Sequence, residues 1–338
     1  MKVYLMVDWD YDKTFFLENY FHNENIALEI IGIPNYNRRD RETKLGSIKL
    51  YFKYLILSIK TIKLSSKDDV IICWNFTTAI PLGLLNKLLK KKRKIIALNI
   101  IAPVHNKIVE GLKNRLFQYA LKQKNILITV NSAELIASYS YRLKLSIEKF
   151  FVLHDPIFDS YKSSEFVKKD SYIFCGGEAR RDWKTIVKAA ELTPELSYVF
   201  VARKKYFDLK TLIPGNVKIY FDIPQEEYYK LFEESTIIAL PLKDKKPAGL
   251  INLIRAAMLS IPIVSSNTPS INNYIENNIS GILVKMNDPV EFSTALKRIY
   301  DDFEIQENYA NNLKKSIVCN FSKESYSSRL IDIINTLA

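Results

Sequence analysis

Residues 236–284 read TIIALPLKDKKPAGLINLIRAAMLSIPIVSSNTPSINNYIENNISGILV: an apolar strand, a loop, an apolar helix and a second strand. Thr236 to Leu242 is short, β-branched and broken by Pro241, which suits a buried parallel strand better than a helix. Pro247-Ala248-Gly249 then opens a helix from Gly249 to Leu259. The first N–H groups of a helix have no partner within it, and Gly249 has no Cβ to hold a ligand away, so the site favours an anion. The phosphates of a nucleotide are the expected ligand, with Ala248 and Gly249 against them. The helix is apolar on nearly every side, as befits a layered α/β core, and only Asn252 and Arg255 interrupt it. Three residues apart, they share a face. A buried guanidinium needs a partner, which places both in a donor cleft; the alternative is an Arg that snorkels to solvent.

These residues resemble the nucleotide-sugar-dependent glycosyltransferases of GT-B fold, specifically the large retaining group 1 (family 4-like) class that builds surface polysaccharides. Members often read P-L-x-D, then S-G, then L-E-A-M-A-x-G-x-P-V/I; this chain reads Pro241-Leu242-Lys243-Asp244, Ala248-Gly249 and Ile254-Arg255-Ala256-Ala257-Met258-Leu259-Ser260-Ile261-Pro262-Ile263-Val264. Asn273-Tyr274-Ile275 and Gly281-Ile282-Leu283-Val284 match a later motif. The class carries a pair of Glu residues with seven residues between them, the second of which accepts hydrogen bonds from the donor ribose; here Pro247 and Arg255 occupy those positions. The resemblance implies two Rossmann-like, doubly wound parallel-sheet domains facing a cleft.

The composition is that of a soluble globular protein. The 338 residues are 48% hydrophobic and 25% charged, enough for two domains. Cys73, Cys175 and Cys319 are too few and too scattered for a disulfide framework or a zinc site, so a reducing, cytoplasmic setting is expected. The opening residues read as a strand rather than a leader, and no apolar run approaches the ~20 residues of a membrane span. The net charge of +12 is confined to one half: residues 1–150 hold 25 Lys+Arg against 13 Asp+Glu, and the remainder is balanced at 24 and 24. Such asymmetry points to an acidic partner on one domain.

The first half alternates strands (2–8, 26–34, 69–75, 95–103, 126–132) with helices, the pattern of a parallel, doubly wound sheet. Two stretches read as basic amphipathic helices, Gly46 to Lys63 and Leu84 to Lys94, the latter ending Lys90-Lys91-Lys92-Arg93-Lys94. Basic residues beside aliphatic and aromatic ones suit an anionic membrane surface or a lipid-linked acceptor; for the first stretch, a helix with a solvated Lys face stands as an equal alternative. Nucleic acid is not expected, since no nucleic-acid module is present. His105 follows a strand's carboxyl end, where open α/β sheets place ligands. In the resembled class a His at the corresponding place lies near the donor sugar, which implies a catalytic role; a surface position is the alternative.

Asp155 to Asp170 is polar and aperiodic, the expected junction. After it Ser171 to Cys175 reads as a strand leading into Gly176-Gly177, Arg180-Arg181 and a helix start. Gly allows close backbone approach and Arg grips phosphate oxygens bidentately, so Gly177 with Arg180 or Arg181 is expected on the donor diphosphate. Pro224 opens a helix where the class passes the nucleobase. The domains expected are 1–160 for the acceptor, 161–320 for the nucleotide-sugar, and 321–338 as a terminal helix crossing back. No cofactor or metal is expected beyond the nucleotide-sugar substrate, UDP-linked first of all. Asp8 to Asp12 is read as a cleft-rim loop, with metal binding as the alternative. The chain is thus expected to transfer a sugar with retention to a growing, lipid-linked surface glycan, working peripherally on the inner face of the membrane. The alternative is a degenerate sugar-nucleotide or polyanion binding protein of the same fold.

Overall fold

A computed structural model describes residues 1–9, 16–34, 43–101, 108–157, 162–177, 180–208 and 210–337. They fall into two compact units, Met1–Asp155 with Lys323–Ala338, and Pro156–Ser322. His105, Asp10 and Asp12 lie outside the described residues.

The first unit is built on β1 (Lys2–Met6), β2 (Ala27–Ile31), β3 (Val70–Cys73), β4 (Lys94–Ala97), β5 (Ile126–Val130) and β6 (Phe150–Val152), all parallel, in the order β2-β1-β3-β4-β5-β6. Val70, Ile71, Ile72 and Cys73 are all fully buried. A parallel sheet covered on both faces needs apolar residues at every position, not at alternate ones. Tyr4, Met6, Ile71 and Cys73 enter one core cluster, and Val3, Leu5, Val70 and Ile72 enter another with the helix α1 (Leu17–Asn23) and the terminal helix α11 (Lys323–Asn335). The helices α2 (Lys44–Leu64), α3 (Phe76–Leu88), α4 (Ile108–Leu121) and α5 (Glu134–Leu143) complete the unit.

Two expectations for this unit need correction. β4 runs only from Lys94 to Ala97 and does not extend to Pro103. The cluster Lys90 to Lys94 is not on a helix: α3 ends at Leu88, Lys90 and Lys92 turn at φ 52° and 53°, and Lys94 is already the first residue of β4. Lys90, Lys91 and Lys92 are exposed, whereas Arg93 is half-buried. Asn86 holds the turn, its Oδ1 accepting from the Arg93 N–H at 2.8 Å and its Nδ2 donating to the Arg93 carbonyl at 3.2 Å.

In the second unit β7 (Ile173–Gly177), β8 (Tyr198–Ala202), β9 (Val217–Phe221), β10 (Ile237–Leu240), β11 (Ile263–Ser266) and β12 (Ile282–Val284) form a parallel sheet in the order β12-β11-β10-β7-β8-β9. The helices α6 (Trp183–Glu191) and α9 (Pro289–Asp301) cover one face. On the other, α8 (Leu250–Met258) and α10 (Phe303–Asn320) pack with α7 (Gln225–Glu233). Because the chain leaves β7 toward β8 and returns to β10 on β7's other side, the strand order reverses between β7 and β10. Crevices of this kind, outside the carboxyl ends of the strands, are where open α/β sheets bind ligands.

Candidate functional site

Two loops meet at that reversal, the one after β7 that includes 180–182 and the one over 241–249 after β10, with Tyr228 of α7 beside them. The two loops are zipped together. Arg181 and Leu242 form an antiparallel bridge, the Asp182 N–H donates to the Pro241 carbonyl at 3.1 Å, and the Lys243 N–H donates to the Arg180 carbonyl at 3.3 Å. Below them, Ser266 at the end of β11 accepts from the Leu242 N–H at 2.9 Å.

The Gly176 carbonyl is the hub. It accepts from Arg181 Nε at 2.8 Å and from Asn252 Nδ2 at 3.0 Å; the same Asn252 nitrogen lies 2.8 Å from the Tyr228 hydroxyl. Arg181 and Asn252 are both buried, and burial lowers the Arg181 pKa and pushes the Tyr228 phenol up to about 12. Gly177 has φ +143°, and a Cβ there would stand 2.7 Å from an Arg181 Nη2. Only glycine lets the turn close over the guanidinium. Arg181 and Asn252 therefore fix the turn from beneath.

Arg180 is different. It sits at φ 66° and turns outward, its Nη1 2.6 Å from Asp244 Oδ2, with both side chains about one-third exposed at 30% and 33%. It carries a cation outward, held in a partly exposed ion pair.

Two helices begin at the site and their starts are unlike. Asp182 caps α6, its carboxylate accepting from the Thr185 N–H at 3.1 Å and from the Thr185 hydroxyl at 2.6 Å. No side chain caps α8; its N-cap is Gly249 at φ +85°, where an added Cβ would meet Leu240 Cδ2 at 2.9 Å. The positive end of α6 is already neutralised by an acid, while that of α8 is available to an anion.

Arg255 packs on the aromatic rings of α7. One turn on from Asn252, its guanidinium carbon lies 3.6 Å from the centre of the Tyr229 ring and 5.9 Å from that of Phe232. It lines a groove of about 660 Å³ between α7 and α8, with Pro224 at one end and Lys162 and Leu259 also on its walls. Tyr228, Tyr229, Asp182 and Asp244 are members of the site that the sequence did not single out. The signals were present: Asp182 stands three residues before Thr185, the spacing of a helix cap, and Tyr228 and Tyr229 follow the helix-opening Pro224.

In the first unit Asp8 is buried, accepting from Asn75 Nδ2 at 2.6 Å and lying 3.3 Å from the Tyr54 hydroxyl. Among the described residues no group of three His, Cys, Asp or Glu is placed to hold a metal ion.

Residues 161–316 match the model of the family Glycosyl transferases group 1. Residues 161–316 are a group 1 glycosyltransferase domain. The chain as a whole has the GT-B fold, two Rossmann-like parallel-sheet units, and superimposes along its length on solved enzymes of that fold. HepE of Anabaena in complex with UDP gives a TM-score of 0.68 at 12% identity, over 99% of this chain and 100% of that one. The lipopolysaccharide outer core galactosyltransferase WaaB, in its apo form, gives 0.67 at 14% identity over all of both chains. Sucrose-phosphate synthase of Thermosynechococcus elongatus gives 0.69 at 11% identity, over 99% of this chain and 98% of that one. No curated protein matches the sequence. Identities this low speak to the fold; the group 1 assignment rests on the matched domain.

Proposed function

We propose that this group 1 glycosyltransferase moves a sugar from a UDP-sugar to a growing, lipid-linked surface glycan, with retention at the anomeric carbon. One observation carries the donor assignment: of the two helices that begin at the strand-order reversal, α6 is capped by Asp182 and α8 by nothing but Gly249. The donor diphosphate belongs against α8, with Ala248 and Gly249 beside it and Arg180 swung from Asp244 onto its oxygens. In the transfer, the bond from the anomeric carbon to a diphosphate oxygen breaks and one to an acceptor hydroxyl oxygen forms, while the hydroxyl proton is lost. The negative charge that grows on the leaving diphosphate is met by fixed N–H dipoles and a guanidinium, an arrangement suited to catalysis without a divalent ion. Pro224 and the start of α7 take the nucleobase, and the catalytic role at the donor sugar is assigned to His105. HepE, solved with UDP and with UDP-glucose, supports a uridine donor.

Peripheral docking on an anionic leaflet belongs to the same reading, with Lys90, Lys91 and Lys92 as exposed positive charges. A second reading, a sugar-nucleotide binding protein without transferase activity, draws on Pro247 and Arg255 in place of the class Glu pair. A thermal-shift panel of UDP, GDP, CDP, ADP and their sugars, with and without EDTA, followed by a donor-consumption assay, separates them. Stabilisation by UDP and a UDP-sugar that survives EDTA, with sugar released or transferred, supports the enzyme. UDP-sugar binding with no turnover on any lipid extract supports the binding protein, and the absence of any nucleotide shift removes both.

A further inference from the structure

The helix α2 is 21 residues long and holds no Asp or Glu. Its inward arc is ordinary: Leu50, Tyr54, Leu57 and Ile62 are buried on the sheet, with Ser58 and Thr61 returning their hydroxyls to the carbonyls four residues back. The outward arc is not, because a surface helix normally turns polar residues to water. At about 100° per residue, Leu45, Ile48, Phe52, Ile56 and Ile59 fall within roughly one-quarter of the circumference. Leu45 is 79% exposed, Phe52 63% and Ile56 65%. Lys49, Lys53 and Lys60 form the next arc along, and Lys63 closes its end. At the far end of α3, Leu88 and Leu89 are exposed directly beside Lys90, Lys91 and Lys92.

We infer that the outward arc of α2 lies in the headgroup region of an anionic bilayer, its apolar side chains inserted and its lysines on the lipid phosphates. This deepens the peripheral-membrane part of the proposed function by naming the element that inserts. Charge selects this occupant over a second copy of the chain: two α2 helices packed by their apolar arcs would bring lysines against lysines with no acid in either helix to pair them. Against a leaflet of anionic lipid the exposed Lys49, Lys60 and Lys63 are each favourable. No helix among the described residues is long and apolar enough to cross a membrane, so α2 lies along the surface rather than through it.

The test is co-sedimentation of the full chain with phosphatidylcholine vesicles, pure or containing phosphatidylglycerol, at low and high salt. It compares wild type with Phe52→Ser/Ile56→Ser, two exposed positions whose change leaves the core intact. Wild type is expected to prefer the anionic vesicles and to keep part of its binding at high salt, since inserted apolar groups are not screened. The double variant should bind about a hundredfold more weakly, from two large apolar side chains kept in water, and should be released by salt. A UDP thermal shift equal to wild type in the variant shows that donor binding is a separate matter, so either reading can fail alone. Equal vesicle binding by both proteins overturns the inference, as does no preference for anionic lipid. A wild-type dimer in solution that the double variant dissolves overturns it in favour of a second copy.

Discussion

Arg180 and Arg181 are neighbours in sequence with opposite roles, and replacing each by Ala should separate binding from stability. Arg181→Ala removes a buried guanidinium from the Gly176 carbonyl and empties the space that Gly177 closes over. Loss of the charged hydrogen bond together with its packing should cost about 2–4 kcal/mol of stability. In a domain of this size that lowers Tm by roughly 4–15 °C. Arg180→Ala removes one partner of a third-exposed ion pair, worth at most about 1 kcal/mol, and the change in Tm should stay within roughly 4 °C. If Arg180 grips the diphosphate, its loss should nevertheless weaken UDP binding by about 1.5–3 kcal/mol, or roughly 10- to 150-fold. Arg180→Gly offers an internal control, because φ 66° suits glycine; it should bind UDP as weakly as the Ala variant while melting at or above it. Scanning fluorimetry gives the Tm values and isothermal titration the affinities. The reasoning is refuted if Arg180→Ala melts as low as Arg181→Ala, or if it binds UDP as wild type does.

Ala248→Asp would place a carboxylate by the uncapped start of α8, as Asp182 stands at α6; UDP affinity should fall at least tenfold with Tm unchanged or slightly raised, by the ~0.3–1 kcal/mol of a favourable dipole contact. Arg255→Glu adds an acid to a groove already bounded by Glu226, Glu227, Glu233 and Glu234. By titration it should bind UDP more weakly than Arg255→Ala, which adds no acid there. Burial pushes the Cys73 and Cys175 thiols up to about 12, whereas Cys319 is exposed. Since the thiolate is the reactive form, a disulfide-exchange reagent at pH 8 should titrate one thiol in the native chain and three in denaturant.

The strands were legible where both faces are buried. The stretch 126–132 holds β5 (Ile126–Val130) and Thr236 to Leu242 holds β10 (Ile237–Leu240), each buried at every residue; a short β-branched run suits a strand better than a helix. The Lys90 to Lys94 cluster was misread because Leu and Lys favour a helix by propensity, while the chain must turn there to enter β4. The helix α10 was missed at a single residue: Asp302 ends α9 and caps α10, accepting from the Ile305 N–H at 3.1 Å, so no loop marks the boundary. In α2, a period of 3.6 shows that residues share a face but not which face meets the sheet. With apolar residues on both arcs, only the fold shows which is in water. Arg180, Arg181, Gly249 and Asn252 come together at the reversal, but the separate fates of Arg180 and Arg181 depend on a glycine turn whose φ the sequence does not state.

The central claim is that the α8 start at the strand-order reversal holds the donor diphosphate, and the position of UDP bound to the chain tests it most directly. A crystal structure with UDP should place diphosphate oxygens within hydrogen-bond reach of the first backbone N–H groups of α8 and of the Arg180 guanidinium, with the Arg180–Asp244 pair opened. A diphosphate bound elsewhere, with that pair intact and the α8 start unoccupied at saturating UDP, would contradict it.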